Sequence, residues 1–329
     1  MAEKPGIAIV GAGMMGAGIA ATAALAGNKV SLFDAVPARA AAAVAVAAGH
    51  LRQLAAGGLV AEADAVAAAA RLHALPDLAA AVAGAWWVIE AISEDLAAKQ
   101  AVFAALEGLV GSEVLLTSNT SGLRITDIVR DVRGRGRTAT THFWFPAHLV
   151  PLVEIVMNAD TEPEVAERLR QTLLGWGKAP VVVQKDLPGQ LANRILQAVI
   201  REATAIVESG LASAADVDTA VKMGMGLRFP AWGPLEHVDT VGLKLCAAVQ
   251  QTVLPGLCNE PRPVVLFDRL LSEGKCGVAC GEGFHDWNRR SHAELVAERD
   301  RFLMAALRLL GRGVPAAAVL TPERSTVNN

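Results

Sequence analysis

Tyrosine is missing from this chain, and aromatic residues of all kinds make up only 4% of its 329 residues. The absence of tyrosine excludes the dehydrogenases that use a tyrosine hydroxyl as their acid or base. Cysteine is scarce as well, and the four present are Cys246, Cys258, Cys276 and Cys280. No two of them have C-x-x-C spacing and the nearby histidines complete no zinc pattern, so we expect reduced thiols and no metal site.

Long apolar runs and a strong net charge are also absent. Although 53% of the residues are hydrophobic, many are alanine, and no run of about 18 apolar residues predicts a membrane-spanning helix. The start of the chain lacks the apolar core and cleavage site of a signal peptide, so we expect a cytoplasmic protein without a membrane partner. The net charge of −3 argues against nucleic acid as a partner.

A glycine fingerprint follows the first predicted strand, which covers residues 6–10. Its residues are Gly11-Ala12-Gly13-Met14-Met15-Gly16. In such a motif Gly11 permits the tight turn, Gly13 lets a pyrophosphate approach the backbone, and Gly16 permits close packing of the following helix. The pattern predicts a dinucleotide site at the helix N-terminus. The alternative is a glycine-rich turn that only connects two elements.

A carboxylate ends the second predicted strand, which covers residues 29–33. This residue, Asp34, lies where an acidic side chain binds the ribose 2′-hydroxyl of a dinucleotide. It would repel a 2′-phosphate. We therefore predict NAD rather than NADP as the cofactor.

Strands and helices alternate through the first part of the chain and give way to helices in the second. Further strands are predicted at residues 86–92, 114–118, 138–143, 153–157 and 181–184. After the break at 186–189 only helical periodicity remains. We predict an α/β fold with a Rossmann-type doubly wound parallel sheet in residues 1–187, then an all-α domain in residues 188–320 and a disordered tail in residues 321–329.

A histidine and a glutamate lie twelve positions apart, at the ends of two predicted strands. His142 ends one strand and Glu154 lies at the start of the next. In the oxidation of an alcohol, an imidazole can take the hydroxyl proton, while a carboxylate orients the ring and stabilises its charged form. The pair is therefore our candidate for proton transfer. The alternative is a histidine that packs in the core at a strand end.

Several motifs in one order resemble the 3-hydroxyacyl-CoA dehydrogenase family, over roughly residues 6–290. Besides the glycine fingerprint, Asp34, His142 to Pro146 and Val153-Glu154, the matching motifs are Val88 to Leu96 with Lys99, Ser118-Asn119-Thr120-Ser121, Pro188-Gly189 with Asn193-Arg194, Gly233-Pro234-Leu235-Glu236 and Gly283-Phe284-His285-Asp286. The resemblance implies an NAD-dependent enzyme that interconverts an L-3-hydroxyacyl-CoA and the 3-ketoacyl-CoA. It also implies a homodimer through the helical domain.

The resemblance implies four catalytic residues. His142 would be the general base and Glu154 its orienting carboxylate. Ser121 would contact the substrate oxygen, Asn193 would lie near the reacting carbon, and both would polarise the carbonyl. As alternatives, Ser121 caps a turn and Asn193 makes hydrogen bonds at a helix start.

The resemblance also implies a set of cofactor-binding residues. In chain order they are Gly11, Gly13, Met14, Met15, Gly16, Asp34, Ala91, Ile92, Glu94, Lys99 and Asn119. Two of them, Glu94 and Lys99, would line the nicotinamide side. The alternative for these two is a pair of solvated charges on a helix.

Three departures from the family pattern affect the substrate. Phe145 stands where the family has asparagine, and with Trp144 it predicts a bulkier, more apolar pocket wall. No lysine occurs between residues 30 and 98, where basic residues hold CoA phosphates, and only Arg39 and Arg52 are left for that task.

The third departure is the segment 224–234. It is similar to the branch with L-gulonate 3-dehydrogenase and lambda-crystallin, and somewhat to L-carnitine dehydrogenase, whose substrates are free acids. Arg228 would pair with a carboxylate there, with Trp232 as a further substrate contact. The alternative for Arg228 is a surface arginine.

These patterns leave several functions open. The leading hypothesis is an L-3-hydroxyacyl-CoA dehydrogenase, with a dehydrogenase of a free 3-hydroxy acid as the near alternative. Oxidation of an amine and a catalytically silent NAD-binding structural protein are weaker alternatives. The lysine-dependent β-hydroxyacid dehydrogenases are excluded because residues 190–202 contain Asn193 but no lysine.

Overall fold

In the computed structural model, which describes residues 4–311, eight strands form a single sheet. The strands are β1 (Lys4–Val10), β2 (Asn28–Phe33), β3 (Leu72–Ala74), β4 (Ala85–Glu90), β5 (Leu115–Ser118), β6 (Thr138–Phe143), β7 (Leu152–Met157) and β8 (Ala179–Val183). Their order is β3-β2-β1-β4-β5-β6-β7-β8, and every neighbouring pair is parallel except β6–β7. The predicted Rossmann-type sheet is confirmed. β3 has only three residues between helices, so no sequence periodicity marks it.

The described residues contain thirteen α-helices. They are α1 (Met14–Leu25), α2 (Pro37–Ala56), α3 (Glu62–Ala69), α4 (Leu78–Val82), α5 (Leu96–Leu109), α6 (Ile125–Ile128), α7 (Pro163–Gly175), α8 (Ala192–Glu208), α9 (Ala214–Ala220), α10 (Pro234–Val241), α11 (Leu243–Val253), α12 (Val265–Ser272) and α13 (His292–Leu310). From α8 onward no strand interrupts the described helices, which confirms the predicted all-α region. None of these helices combines the length and the apolar character that a membrane span requires.

The alanine-rich segment after β2 folds into packed helices. In α2 the buried positions are Ala40, Ala43, Ala47, Leu51 and Leu54, which recur every three or four residues. This spacing places them on one face of the helix. Helix α1 is buried almost throughout because it packs between the sheet and its helical neighbours.

The chain forms two compact units. The first contains the residues through Leu191 together with the described residues from Ala297, and the second contains residues 192–296. The domain boundary predicted at residue 187 lies four residues before Leu191, where the first unit ends. The part of α13 from Ala297 belongs to the first unit again. The predicted tail at 321–329 lies outside the described residues.

The cysteines differ from the expectation of reduced thiols. Cys276 and Cys280 form a disulfide, with their Cα atoms 5.5 Å apart, while Cys246 and Cys258 are free thiols. The chain turns back on itself here: Gly277, between the two cysteines, and Gly281, directly after Cys280, have positive φ angles of +96° and +76°. A C-x-x-C search misses this pair because the turn, rather than the usual spacing, brings the sulfur atoms together. The described residues contain no cluster of three or more potential metal ligands.

A buried lysine fixes the loop between β6 and β7, residues 144–151. The ammonium group of Lys178 donates to the carbonyl oxygens of Ala147 and Val150 at 2.6 and 3.1 Å. Burial lowers the pKa of Lys178 to about 7. The two carbonyl acceptors replace the water that the ammonium group loses on folding, so the loop backbone is tied to the start of β8.

A buried histidine, His148, lies in the same loop. The ring of His148 stacks on that of His50 at 3.8 Å, and its Nε2 donates to Gln53 at 2.9 Å. Burial, followed by the nearby charges of His50, Lys178 and Arg299, lowers the pKa of His148 to about 3 from 6.5. His148 therefore stays neutral in the folded protein at moderately acidic pH.

We predict that acid destabilises the fold through His148. Between pH 6.5 and 3 the unfolded state takes up a proton that the folded state refuses, so the free energy of unfolding falls as the pH is lowered. The measurement is the loss in denaturant midpoint between pH 7 and pH 5, which we expect to shrink in His148→Phe. The exposed His73 provides the control, His73→Gln. An equal loss in His148→Phe and the native chain would contradict this origin.

Candidate active site

The antiparallel pairing of β6 and β7 brings His142 and Glu154 together. The two residues are direct partners in the register of the pair. Side chains at such positions share one face of the sheet with their Cβ atoms close together. The Nδ1 atom of His142 lies 2.7 Å from Oε2 of Glu154, and the two side chains are 8% and 0% exposed.

Both oxygens of Glu154 accept hydrogen bonds. Oε2 also accepts from Nε1 of Trp144 at 3.0 Å, and Oε1 accepts from the backbone N–H of Leu191 at 2.9 Å. These donors fix the orientation of the carboxylate plane. Because an ionised carboxylate only accepts, Nδ1 of His142 carries the ring proton, and Nε2 is left as the basic nitrogen.

Trp144 and Phe145 lie in sequence between His142 and Glu154, the two residues of the dyad, and have different surroundings. Trp144 packs with its ring centroid 5.7 Å from that of His142, while its indole N–H holds Glu154. Phe145 is half exposed, and the guanidinium of Arg299 lies 5.3 Å from its ring centroid. Sequence reasoning considered Trp144 only as a pocket wall, because a pattern of residue types does not indicate where an indole N–H points.

Glu94 organises the loop that carries Ser121. Its Oε1 accepts from the Thr120 hydroxyl at 2.6 Å and from the backbone N–H groups of Ser121 and Gly122 at 3.1 and 2.8 Å. Burial raises the pKa of Glu94, but these hydrogen bonds and the charge of Lys99 outweigh it, so the pKa lies below its usual value. The carboxylate therefore holds the Ser121 loop in a defined conformation.

Lys99 is buried rather than solvated. Its ammonium group lies 2.7 Å from Glu90 and 3.5 Å from Glu94. Glu90, at the end of β4, also accepts from the Ser118 hydroxyl at 2.6 Å and the Ile92 N–H at 2.7 Å. Sequence reasoning gave Glu90 no role, although an acid that ends an otherwise apolar strand is a detectable signal.

The glycine loop has the geometry that a dinucleotide requires. Gly11 has φ +107°, and a Cβ there would lie 2.5 Å from the backbone of Ala91. A Cβ at Gly16 would lie 2.0 Å from the Gly11 oxygen, whereas one at Gly13 would meet nothing within 4 Å. The space beside Gly13, at the start of α1, fits a pyrophosphate.

Asp34 and Asn119 are tied to the backbone around this loop. Asp34 accepts from the N–H groups of Ala12 and Val36 at 3.0 and 2.9 Å. Asn119 accepts from the Phe143 N–H at 2.8 Å, which joins the ends of β5 and β6. The strand order reverses between β1 and β4, which is where ligands bind in doubly wound sheets. Met14 is exposed and Met15, Ala91 and Ile92 are half-buried around the loop.

The remaining candidates belong to the second unit. Asn193 is half-buried in the first turn of α8. Arg228 is exposed and follows a π-helix, Val221–Gly226, a rare conformation that occurs frequently at functional sites. The Trp232 ring packs 5.7 Å from that of His237. Sequence reasoning did not anticipate the π-helix.

Comparison with known proteins covers nearly the whole chain. Family models described as 3-hydroxyacyl-CoA dehydrogenase, NAD binding domain, and 3-hydroxyacyl-CoA dehydrogenase, C-terminal domain, match residues 6–187 and 189–287. The chain is 33% identical over 307 residues to 5-formyl-3-hydroxy-2-methylpyridine 4-carboxylate 5-dehydrogenase of Mesorhizobium japonicum, covering 92% of this chain and 97% of that protein. It is 35% identical to 3-hydroxyadipyl-CoA dehydrogenase of Escherichia coli, covering 89% of this chain and 61% of that protein.

A solved structure supports the same relationship. The crystal structure of the pyridine carboxylate dehydrogenase, described as an NAD+-dependent dismutase, has a TM-score of 0.86 and 32% identity. The match covers 93% of this chain and 98% of that one. The glycine loop, the dyad and both family matches lead to one assignment. The chain belongs to the 3-hydroxyacyl-CoA dehydrogenase family of NAD-dependent oxidoreductases.

Proposed function

We propose that this dehydrogenase oxidises the hydroxyl group of a small free acid, with His142 as the base. The observation that carries the oxidation and its proton transfer, for either class of substrate, is the buried His142–Glu154 pair at 2.7 Å. NAD, when bound, accepts the hydride. The substrate hydroxyl would give its proton to Nε2 of His142 as the hydride leaves the same carbon. In the reverse direction the imidazolium would return the proton.

Glu154 has two tasks in this proposal. Its Oε2 keeps the ring proton on Nδ1, and its negative charge stabilises the imidazolium that forms when Nε2 takes the proton. Ser121 and Asn193 would donate to the substrate oxygen and stabilise the charge that develops on it. Glu94 supports Ser121 by holding the backbone on both sides of it.

Three observations support a free acid. The segment 30–98 contains no lysine, and Arg39 and Arg52 are both exposed on α2. Phe145 places an apolar ring where the family has an amide. The dehydrogenase of Mesorhizobium japonicum matches over almost the full length of both chains, and its name gives it a free pyridine carboxylate, with a formyl group as the site of oxidation. Arg228 is the proposed carboxylate partner, since within the described residues no acidic side chain pairs with its exposed guanidinium.

A second candidate is an L-3-hydroxyacyl-CoA thioester. It is favoured by the 35% identity to 3-hydroxyadipyl-CoA dehydrogenase. In that case Arg39 and Arg52 would contact the CoA phosphates. The same dyad would perform the proton transfer, so the two candidates differ only in what recognises the rest of the substrate.

The test is NADH formation by the purified protein with NAD. One arm uses a short L-3-hydroxyacyl-CoA, and the other uses the free hydroxy acids L-gulonate, L-carnitine and 3-hydroxybutyrate. The second arm also includes 5-formyl-3-hydroxy-2-methylpyridine 4-carboxylate, whose formyl group must first add water, because only the hydrate carries a hydroxyl from which His142 can take a proton. We expect turnover in the free-acid arm only, and a loss of about 10² to 10⁴ in kcat for His142→Ala because the base is gone. Turnover of the thioester alone would reject the free-acid proposal.

Arg228→Ala distinguishes recognition from chemistry. If Arg228 binds the carboxylate, the variant raises KM for the free acid and leaves the affinity for NAD unchanged. Lys222→Ala is a matched control, because Lys222 is an exposed cation of the π-helix that precedes Arg228 and pairs with Asp218. An equal rise in KM in both variants would mean that Arg228 acts only through the overall surface charge and does not bind the substrate carboxylate.

Trp144→Phe tests the support of the dyad. The change keeps an aromatic ring beside His142 and removes the N–H donor to Glu154. We expect kcat to fall about ten- to a hundredfold, the value of one hydrogen bond to a charged group, with unchanged NAD affinity. Trp86→Phe is the control, because Trp86 lies at the opposite end of β4 from Glu90 and packs under Arg168. Equal losses in both variants would contradict the role of the indole.

We also propose a homodimer through the helical unit. Large apolar side chains are exposed on its adjacent helices α10 and α11, among them Leu235, Leu243, Leu245 and Val249. Exposed apolar surface of this kind marks interaction sites. Sedimentation velocity should give twice the mass of one chain, and a mass of one chain would contradict the proposal.

A further inference from the structure

The last of the described helices is α13, and its residues from Ala297 pack within the first unit. The helix lies beyond residue 287, where the family match ends. Leu307 is buried in the core of that unit. Met304 lies against Gly57, where a Cβ would be only 2.3 Å from its sulfur. The missing side chain at Gly57 therefore makes room for α13 at the end of α2.

The other end of this packed segment reaches the loop beside the dyad. The guanidinium of Arg299 lies 5.3 Å from the ring centroid of Phe145. Its Nε and Nη2 both donate to Oδ1 of Asp300, at 2.9 and 2.7 Å. The carboxylate thus keeps the cation in a fixed orientation over the ring.

Asp300 also connects α13 to the middle of the loop. Its Oδ2 accepts from Nε2 of Gln53 at 3.1 Å, and Oε1 of the same Gln53 accepts from His148 at 2.9 Å. Phe145 and His148 belong to the loop 144–151, so α13 contacts it directly at one point and through Gln53 at another. Lys178 binds the carbonyl oxygens of Ala147 and Val150 but not the side chains of the loop. The Phe145 ring contacts Arg299, and the His148 ring contacts Gln53 and stacks on His50.

We propose that Arg299 and Asp300 are positioning residues for the catalytic loop. The loop begins with Trp144, whose indole N–H holds Glu154, which in turn orients His142. A displacement of Phe145 would move its neighbour Trp144 and loosen the carboxylate. Through these contacts α13 stabilises the loop conformation in which Trp144 and His142 both hydrogen-bond to Glu154.

The test is hydrogen–deuterium exchange of the free protein, followed by kinetics. The reporters are the amides of Leu149 and Val150, which both donate to the Pro146 carbonyl at 2.9 Å. We expect Arg299→Ala to accelerate their exchange about two- to fivefold, the value of one exposed cation–π contact, and to lower kcat with unchanged NAD affinity. Arg299→Lys keeps the positive charge and loses the fork to Asp300, so it should give an intermediate effect.

Arg301→Ala is the matched control. Arg301 is an exposed arginine of the same helix, two positions from Arg299. We expect wild-type exchange and kcat in this variant. Equal exchange rates of the Leu149 and Val150 amides in Arg299→Ala and Arg301→Ala would contradict the positioning role of Arg299, whatever the substrate is. Because the exchange measurement needs no substrate, its outcome is independent of the proposed function.

Discussion

The site depends on one hydrogen bond, between Nδ1 of His142 and Oε2 of Glu154. It is possible because β6 and β7 run antiparallel in a sheet whose other neighbouring strands are parallel, so the two residues lie directly opposite each other. A buried carboxylate is costly unless donors surround it. The indole N–H of Trp144 and the backbone N–H of Leu191 meet this need and also fix the plane of the carboxylate.

The same principle governs the neighbouring strand ends. Glu90 ends β4 inside the protein and is compensated by Lys99 and the Ser118 hydroxyl, while Glu94 gathers the backbone N–H groups around Ser121. The buried Glu90–Lys99 pair holds its loop in one conformation rather than adding stability, since desolvation offsets much of the attraction, whereas Glu94 is partly exposed and acts through its hydrogen bonds. The carboxyl ends of β4, β5 and β6 thereby present a rigid set of polar groups next to the glycine loop.

Sequence reasoning reached those parts of the fold and site that depend on residue type and local spacing. The glycine fingerprint, Asp34 and the alternation of strands and helices required only local patterns, and they led to the Rossmann-type sheet and to NAD. His142 and Glu154 could be paired because the strands that carry them are consecutive in the chain. What could not be predicted depends on where side chains point or on distant contacts.

Four contacts near or outside the site illustrate what residue patterns cannot predict. The donor from Leu191 is a backbone group, which no residue pattern encodes, and the donor from Trp144 depends on the rotamer of its side chain. The disulfide between Cys276 and Cys280 follows from a glycine turn. The contact of α13 with Phe145 joins residues 145 and 299, which are far apart in the chain, and α13 is held there by packing contacts such as that of Met304 with Gly57.

The central claim is that Glu154 fixes the tautomer of His142, which leaves Nε2 free to act as the base. The most direct measurement is the ¹⁵N NMR spectrum of the imidazole nitrogens in histidine-labelled protein, with His142→Ala used to assign the signals. The account predicts a proton on Nδ1 and an unprotonated Nε2 in the neutral ring. A neutral ring with its proton on Nε2 would contradict it, because the nitrogen that must accept the substrate proton would already carry one.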